Sequence, residues 1–390
     1  MGKRAGRTTG GGKGAYRTMK IAVLMDAPLR ATLLSEKTMA RLAEWGEVGV
    51  NETDKAEKET VKQIIAGADI AITSWGVPQL DKEILDCAPN LRFVAHAAGS
   101  VKGIVSDELY ARGIRVVSSA RILSYGVSET ALGLTICACK NVFAFNEEIR
   151  NGGWVEDYSV ITELFDITVG VVGCGFAGSH YIELLQAFGV NVLAYDPLLD
   201  EAAIAAMGAK KADLDTLLAE SDVVSLHAPA LDSTRHMING RALSLMKDRA
   251  ILINTARGAL VDEDALAQAL RGGKLKYACL DVTDPEPPAA DSPLRGIPNC
   301  IMTPHLAGLA NNGKLKIGAH VADEIGRFLT GGTLVSEITQ AMLATWYKSS
   351  YSTPRPAKRR AISAHRGSAA ESAACSASSP PSAAYWHASA

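Results

Sequence analysis

Ile167-Thr168-Val169-Gly170-Val171-Val172-Gly173-Cys174-Gly175-Phe176-Ala177-Gly178 decides how the rest of the chain is read. A β-branched run leads into a G-x-G-x-x-G turn, and Ser179 to Gly189 (SHYIELLQAFG) continues with helical spacing. A second apolar strand, Asn191-Val192-Leu193-Ala194-Tyr195, ends on Asp196. Gly173 permits a tight exit from the strand, Gly175 lets backbone amides approach a pyrophosphate, and Gly178 lets helix and strand pack closely. The helix N-terminus then faces the phosphates with its positive end. Asp196 stands eighteen residues past Gly178, where a carboxylate accepts from the adenosine ribose hydroxyls and repels a 2′-phosphate. A glycine turn alone is common. A strand, a helix, a second strand and a terminal acid around it make a dinucleotide site, with NAD favoured over NADP.

Downstream of this unit, DVVSLHAP (222–229), AILINTAR (250–257), YACLDV (277–282) and IMTPH (301–305) are short apolar runs separated by helical stretches such as Asp262 to Arg271. That alternation predicts parallel strands joined by crossover helices. Ligands in such sheets sit beyond the carboxyl ends of the strands. His227, Arg257, Asp281 and His305 all fall at those ends.

Upstream, KIAVLM (20–25), ADIAITSW (68–75), LRFVAHAAG (91–99) and IRVVSS (114–119) alternate with helical segments Glu36 to Trp45 and Glu57 to Ala66. This is a second α/β unit, without a phosphate loop. Arg121 to Arg150 is nearly continuously apolar and reads as a helix or helix pair linking the two units. Beyond His305 the chain turns helical again (Gly313 to Leu329) and returns to complete this upstream unit, with apolar residues as far as Met342 to Tyr347. The expected divisions are a basic, glycine-rich disordered tail (1–18), the first part of a substrate domain (19–122), a nucleotide domain (123–307), a return segment (308–348) and a Ser/Ala/Pro-rich disordered tail (349–390).

Composition sets the outer bounds. The chain has 390 residues and is 47% hydrophobic, enough for two domains with sizeable cores. A formal net charge of −2 gives no reason to expect nucleic acid as a partner. No apolar run stands out as membrane-spanning, and nothing resembles a signal peptide. Seven scattered cysteines without C-x-x-C pairs argue against a disulfide framework or a zinc site, and for reduced thiols in the cytoplasm.

Three further stretches carry a resemblance: Asn254-Thr255-Ala256-Arg257-Gly258, Asp281-Val282-Thr283-Asp284-Pro285-Glu286-Pro287-Pro288 and Thr303-Pro304-His305. With the glycine turn, YDP (195–197) and HAP…ST (227–234), they occur in the order and spacing of the D-isomer-specific 2-hydroxyacid dehydrogenases, a family that Lys20 to Tyr347 resembles. The resemblance implies two doubly wound parallel-sheet domains, with a Rossmann NAD-binding domain inserted into a flavodoxin-like substrate domain. It also implies a triad of Arg257, Glu286 and His305. Arg257 can fork onto a carboxylate and the developing carbonyl, and His305 can exchange the hydroxyl proton. Glu286 would hold the other imidazole nitrogen and favour the protonated ring.

Further cofactor contacts implied are Phe176 and Ala177 through backbone amides, then Asp196, His227, Thr234, Thr255 and Asp281, the last accepting from the nicotinamide carboxamide. The substrate loop matches Gly99, Ser100 and Val101, preceded by Ala98, while His96 reads as structural. No metal is implied. The partner is a small 2-hydroxy or 2-keto acid, and the resemblance points to a homodimer formed through the nucleotide domain, with the helix from Ser124 to Arg150 contributing. The chain departs from the pattern at Ser100-Val101-Lys102-Gly103, where Lys102 offers an extra anion contact and leaves substrate identity open. Phe176 stands where relatives carry a basic residue. Formate and phosphite dehydrogenases share the implied fold, but the former place glutamine where Glu286 stands. NAD-binding corepressors share it as well and form the non-enzyme alternative.

Overall fold

The computed structural model describes residues 18–308 and 311–346. The expected tail 349–390, and all of 1–18 except Thr18, lie outside the described residues.

The first sheet contains β1 (Lys20–Val23), β2 (Glu47–Val50), β3 (Ile70–Thr73), β4 (Phe93–His96) and β5 (Arg115–Ser118) in the order β2-β1-β3-β4-β5, with every pairing parallel. That is the flavodoxin-like order. Every residue of β3 and β4 is buried, as strands covered on both faces require, which explains their near-continuous apolar sequence. The helix Asn311–Leu329 comes back to this sheet. Ile317, Val321, Ala322 and Ile325 share its core, and Phe328 stacks on Phe93 with centroids 4.4 Å apart.

The second sheet contains β6 (Thr168–Val172), β7 (Asn191–Tyr195), β8 (Lys210–Lys211), β9 (Val223–Leu226), β10 (Ala250–Asn254), β11 (Leu275–Leu280) and β12 (Cys300–Met302). Its order, β12-β11-β10-β9-β6-β7-β8, is the Rossmann arrangement with one added strand. The chain runs outward from β6 to β7 and β8, then crosses back to β9. The switch point therefore lies between β6 and β9, where the glycine turn and His227 emerge. The expected α/β class with two parallel sheets is what the chain adopts.

Several expectations are corrected. The stretch 121–150 is the helix pair of the two forms expected, Ala120–Cys139 and Val142–Arg150, separated where Asn141 adopts a left-handed φ of 58°, so a single helix from Ser124 to Arg150 does not form. The first is long and apolar enough to cross a membrane by length and composition, so the absence of any such run does not hold. Its buried face is nevertheless bonded within the protein. Ser128 Oγ donates to the Ala177 carbonyl at 2.8 Å, and Thr135 Oγ1 lies 2.7 Å from the Tyr181 hydroxyl. The helix after the glycine turn starts at Phe176 rather than Ser179 and gives way at Gln186 to a 3-10 turn. The edge strands β2 and β8 went unread.

Candidate active site

The glycine turn is built as its sequence demands. Gly173 has φ 92°, and a Cβ there would stand 2.7 Å from the Ala228 amide nitrogen. A Cβ on Gly178 would lie 1.9 Å from the Gly173 carbonyl oxygen. Gly175 is different: no atom comes within 4 Å of its missing side chain. It is the N-cap of helix Phe176–Leu185 and supplies no side-chain cap. The amides of Phe176, Ala177 and Gly178 therefore open the helix without intrahelical partners, since the first backbone bond runs from Ser179 N to Gly175 O. Open space above uncapped amides at a positive helix end suits an anion. Phe176 is itself 40% exposed.

Asp196 directly follows β7 and folds back onto the turn. Oδ2 accepts from Cys174 N and Oδ1 from Leu198 N, each at 2.9 Å. A carboxylate can accept about four hydrogen bonds, so each oxygen keeps capacity for a ribose hydroxyl. Two buried polar atoms lack partners among the described residues, His227 Nδ1 and Thr255 Oγ1. They stand at the carboxyl ends of β9 and β10, on the switch-point side of the sheet. Burial pushes His227 down to about 4, so its ring is neutral, and its Nε2 lies 2.9 Å from Ser225 Oγ. Uncapped amides, a free-standing Gly175 and two orphaned polar atoms together fit a dinucleotide.

Other expected cofactor contacts have their polar atoms occupied within the protein. Thr234 Oγ1 donates to the Pro229 carbonyl at 2.7 Å and accepts from Leu231 N at 2.8 Å, closing its own loop. Asp281 is buried, and its carboxylate holds the segment after β12. It accepts from Thr303 Oγ1 at 2.5 Å, Leu306 N at 2.9 Å and Ala307 N at 2.8 Å. Asp281 O also accepts from His305 N at 2.9 Å. This clasp holds His305 at a left-handed φ of 52°, a conformation that a non-glycine residue keeps only when its surroundings enforce it.

His305 Nδ1 stands 2.9 Å from the Glu286 carboxylate. An ionised carboxylate only accepts, so Nδ1 carries the proton and Nε2 remains for chemistry. The bond to Glu286 raises the His305 pKa above the ordinary histidine value, against partial burial and the positive charge of Arg257. Arg257 follows β10 with an exposed side chain, and its Nη1 donates to the Ala256 carbonyl at 2.5 Å. Gly258 behind it packs so tightly on the Glu286 loop that a Cβ would lie 2.0 Å from the Thr283 carbonyl carbon.

The loop Gly99–Val101 leaves β4. Val101 is fully buried, whereas Ser100 is exposed. His96 is structural, as expected. It is buried and lowered to about 4, Thr73 Oγ1 lies 2.9 Å from its Nδ1, and it makes a second bond to the Ser100 backbone. Sequence reading missed two residues here. A Cβ on Gly99 would meet Leu123 at 3.2 Å and one on Gly308 would meet Leu123 at 3.4 Å, so this leucine sits between the loop after β4 and the segment after His305. Trp75, 37% exposed, follows β3 beside that loop, where Ser74 Oγ donates to the Ala97 carbonyl.

The chain is similar to known proteins in sequence and in fold. Residues 132–307 match the family model of the D-isomer specific 2-hydroxyacid dehydrogenase NAD binding domain. The D-3-phosphoglycerate dehydrogenase of Methanocaldococcus jannaschii is 33% identical over 312 residues, 80% of this chain and 58% of the relative. The hydroxypyruvate reductase of Thermotoga maritima is 30% identical over 275 residues, 70% of this chain and 89% of the relative. The crystal structure of D-lactate dehydrogenase with NAD+ from Lactobacillus jensenii superimposes with TM-score 0.70 at 26% identity, covering 83% of this chain and 100% of that one. The chain spans little more than half the length of the phosphoglycerate dehydrogenases it matches. Its glycine turn, acid-ended β7 and orphaned polar atoms belong to an NAD-binding domain, and the chain is a member of the D-isomer-specific 2-hydroxyacid dehydrogenase family.

Proposed function

We propose that the chain is an NAD-dependent oxidoreductase interconverting a D-2-hydroxy acid and its 2-keto acid. The observation that carries the reading is the His305–Glu286 pair at 2.9 Å with the Arg257 charge beside it. Bound NAD(H) supplies the hydride acceptor or donor. Arg257 holds the substrate carboxylate and steadies the carbonyl oxygen, with the amides of Gly99, Ser100 and Val101 as further donors. In the reductive direction, protonated His305 gives its Nε2 proton to the forming hydroxyl; in the oxidative direction neutral His305 takes it back. Glu286 keeps Nδ1–H in place and stabilises the imidazolium. Gly173, Gly175, Phe176, Ala177 and Gly178 would hold the pyrophosphate, and Asp196 the ribose. His227, Thr234 and Thr255 would line the rest of the cofactor path, and Asp281, whose Oδ2 accepts only from Ala307 N among the described residues, would keep acceptor capacity there for the carboxamide.

The test is a panel of 2-keto acids against NADH and, in parallel, NADPH, with Arg257→Ala as control. Turnover of at least one acid, faster with NADH and lost in the control, is the expected result. NADH binding without turnover of any acid would overturn the enzyme reading in favour of a sensor. Preference for NADPH would overturn the role given to Asp196.

The same reading includes a homodimer in the cytoplasm. The segment after helix Val142–Arg150 exposes Trp154, Tyr158 and Phe165 at 74%, 56% and 73%, more aromatic surface than an isolated chain normally leaves in water. Six unpaired cysteines among the described residues suit a reducing compartment. Sedimentation velocity at micromolar concentration should give twice the chain mass, and Trp154→Ala should shift it toward the monomer. A wild-type protein that sediments as a monomer would reject the dimer.

A further inference from the structure

The Glu286 loop is held in place by a residue with no part in the chemistry above. Glu263 opens the helix Glu263–Arg271, directly after its cap Asp262, whose carboxylate accepts from Ala265 N at 3.1 Å. An acid in a first helical turn is ordinary, because it complements the helix dipole. Glu263 does more than that. Its Oε1 accepts from Asp284 N at 2.9 Å, across the loop and two residues before Glu286. It also bonds the Ser292 side chain. Partial burial and the like charges of Asp284 and Asp264 oppose its ionisation, so this is an unfavourable place for an acid that serves only as a solvated helix start.

The segment from Thr283 to Ala289 has few other anchors. Thr283 Oγ1 donates to the Pro285 carbonyl at 2.9 Å within the loop itself. Arg295 donates to the Pro288 and Ala289 carbonyls, both at 2.8 Å, on the far side of Glu286. Arg235 reaches the Asp284 carboxylate at 3.2 Å, but as a solvent-exposed pair it contributes little. Gly258 limits how far the loop can sink toward β10. The Glu263 carboxylate is the anchor on the side from which the chain enters Glu286.

We propose that Glu263 is a positioning residue for the acid–base pair: by holding the Asp284 amide it fixes the Glu286 carboxylate at hydrogen-bond distance from His305 Nδ1. The inference rests on reading His305 and Glu286 as the acid and its support. The test is NMR titration of the imidazole nitrogens in the full chain, with His305 assigned by the signal lost in His305→Gln. In Glu263→Ala the His305 midpoint falls toward the ordinary value of about 6.5. Glu263→Asp keeps the charge and the helix-start acid but is one methylene too short to reach Asp284, and behaves like Glu263→Ala. Glu263→Gln still presents an acceptor oxygen and keeps the wild-type midpoint. Adding Glu263→Ala to Glu286→Gln moves the midpoint no further than Glu286→Gln alone.

With an accepted keto acid, kcat/KM for Glu263→Ala falls about tenfold or more while NADH affinity holds. An unchanged midpoint in folded Glu263→Ala and Glu263→Asp overturns the proposal. So does an equal fall in Glu263→Gln, because the charge rather than the bond would then be responsible. Should Glu263→Ala not fold, the contrast between Glu263→Asp and Glu263→Gln decides alone. The titration needs no substrate, so absence of turnover on every acid would count against the enzyme reading while the role of Glu263 is still decided by the midpoints.

Discussion

The His305→Gln enzyme is expected to reduce a 2-keto acid about 10²–10⁴-fold more slowly than wild type, with NADH affinity unchanged. Glutamine fills similar space and can still bond to Glu286, but it cannot deliver a proton. Stopped-flow single turnovers that match wild type would remove His305 from the chemistry. The pH dependence gives a second handle on the same pair. Reduction needs the imidazolium, so kcat/KM declines as pH rises through the His305 pKa. Glu286 raises that pKa, and Glu286→Gln should therefore move the declining limb to lower pH. Oxidation needs the neutral ring, so its rising limb moves to lower pH as well. The stability linkage has the same sign. Whatever the pair adds to folding is fully present below the unfolded value of about 6.5 and is lost as pH climbs through the raised folded value. With both side chains nearly half exposed, that stability term is small, and the effect is to be sought in catalysis. A limb that does not move in Glu286→Gln would show that the two groups are not coupled in solution.

Gly178→Ala and Gly175→Ala should fail differently, although both glycines belong to one motif. At Gly178 a methyl group would stand 1.9 Å from the Gly173 carbonyl oxygen and 3.3 Å from the His227 Cβ. Backbone has to move there, and overpacking of this kind costs about 1–3 kcal/mol or more. At about 2–4 °C per kcal/mol for domains of 150–250 residues, melting falls by several degrees and NADH binding falls with it. At Gly175 the methyl group meets nothing, so the melting temperature holds. It intrudes instead into the space above the Phe176 and Ala177 amides, where a pyrophosphate must approach backbone. NADH affinity should drop at least tenfold, about 1.4 kcal/mol. Thermal melts and NADH fluorescence titration read both variants. A Gly175→Ala protein that binds NADH as wild type does would remove the pyrophosphate from that position.

Much of this was legible because the determining interactions are local in sequence. The Gly173–Gly178 turn, the strand leading into it and Asp196 at the end of β7 lie within one βαβ unit. Backbone freedom and helix polarity act over just that span, so glycine spacing reports them directly. The helix at Glu36–Trp45 was read to its residue, because a Ser35 cap and a helical apolar stripe fix both its start and its face. The buried strands β1, β3, β4, β6, β9 and β10 announced themselves as apolar runs, since both their faces are covered. β2 and β8 did not. The first is a half-exposed edge with a glycine in it, the second two exposed lysines, and pairing with a neighbour makes them strands where no apolar pattern does.

What the sequence by itself determined is therefore the two α/β units, the nucleotide turn and the residue types gathered at the strand ends. Which of those residues also serve the scaffold was decided only by tertiary structure. Asp281 and Thr234, expected as cofactor contacts, serve the scaffold as well: one clasps the His305 segment and the other closes its own loop. Leu123 bridging Gly99 and Gly308, and Glu263 holding the amide ahead of Glu286, gave no sign at all. The roles of Asp281 and Glu263 depend on partners more than twenty residues away meeting within about 3 Å, the reach of a hydrogen bond, and that of Leu123 on apolar contact between two distant loops. No periodicity or spacing encodes that meeting, because packing of the whole sheet brings it about.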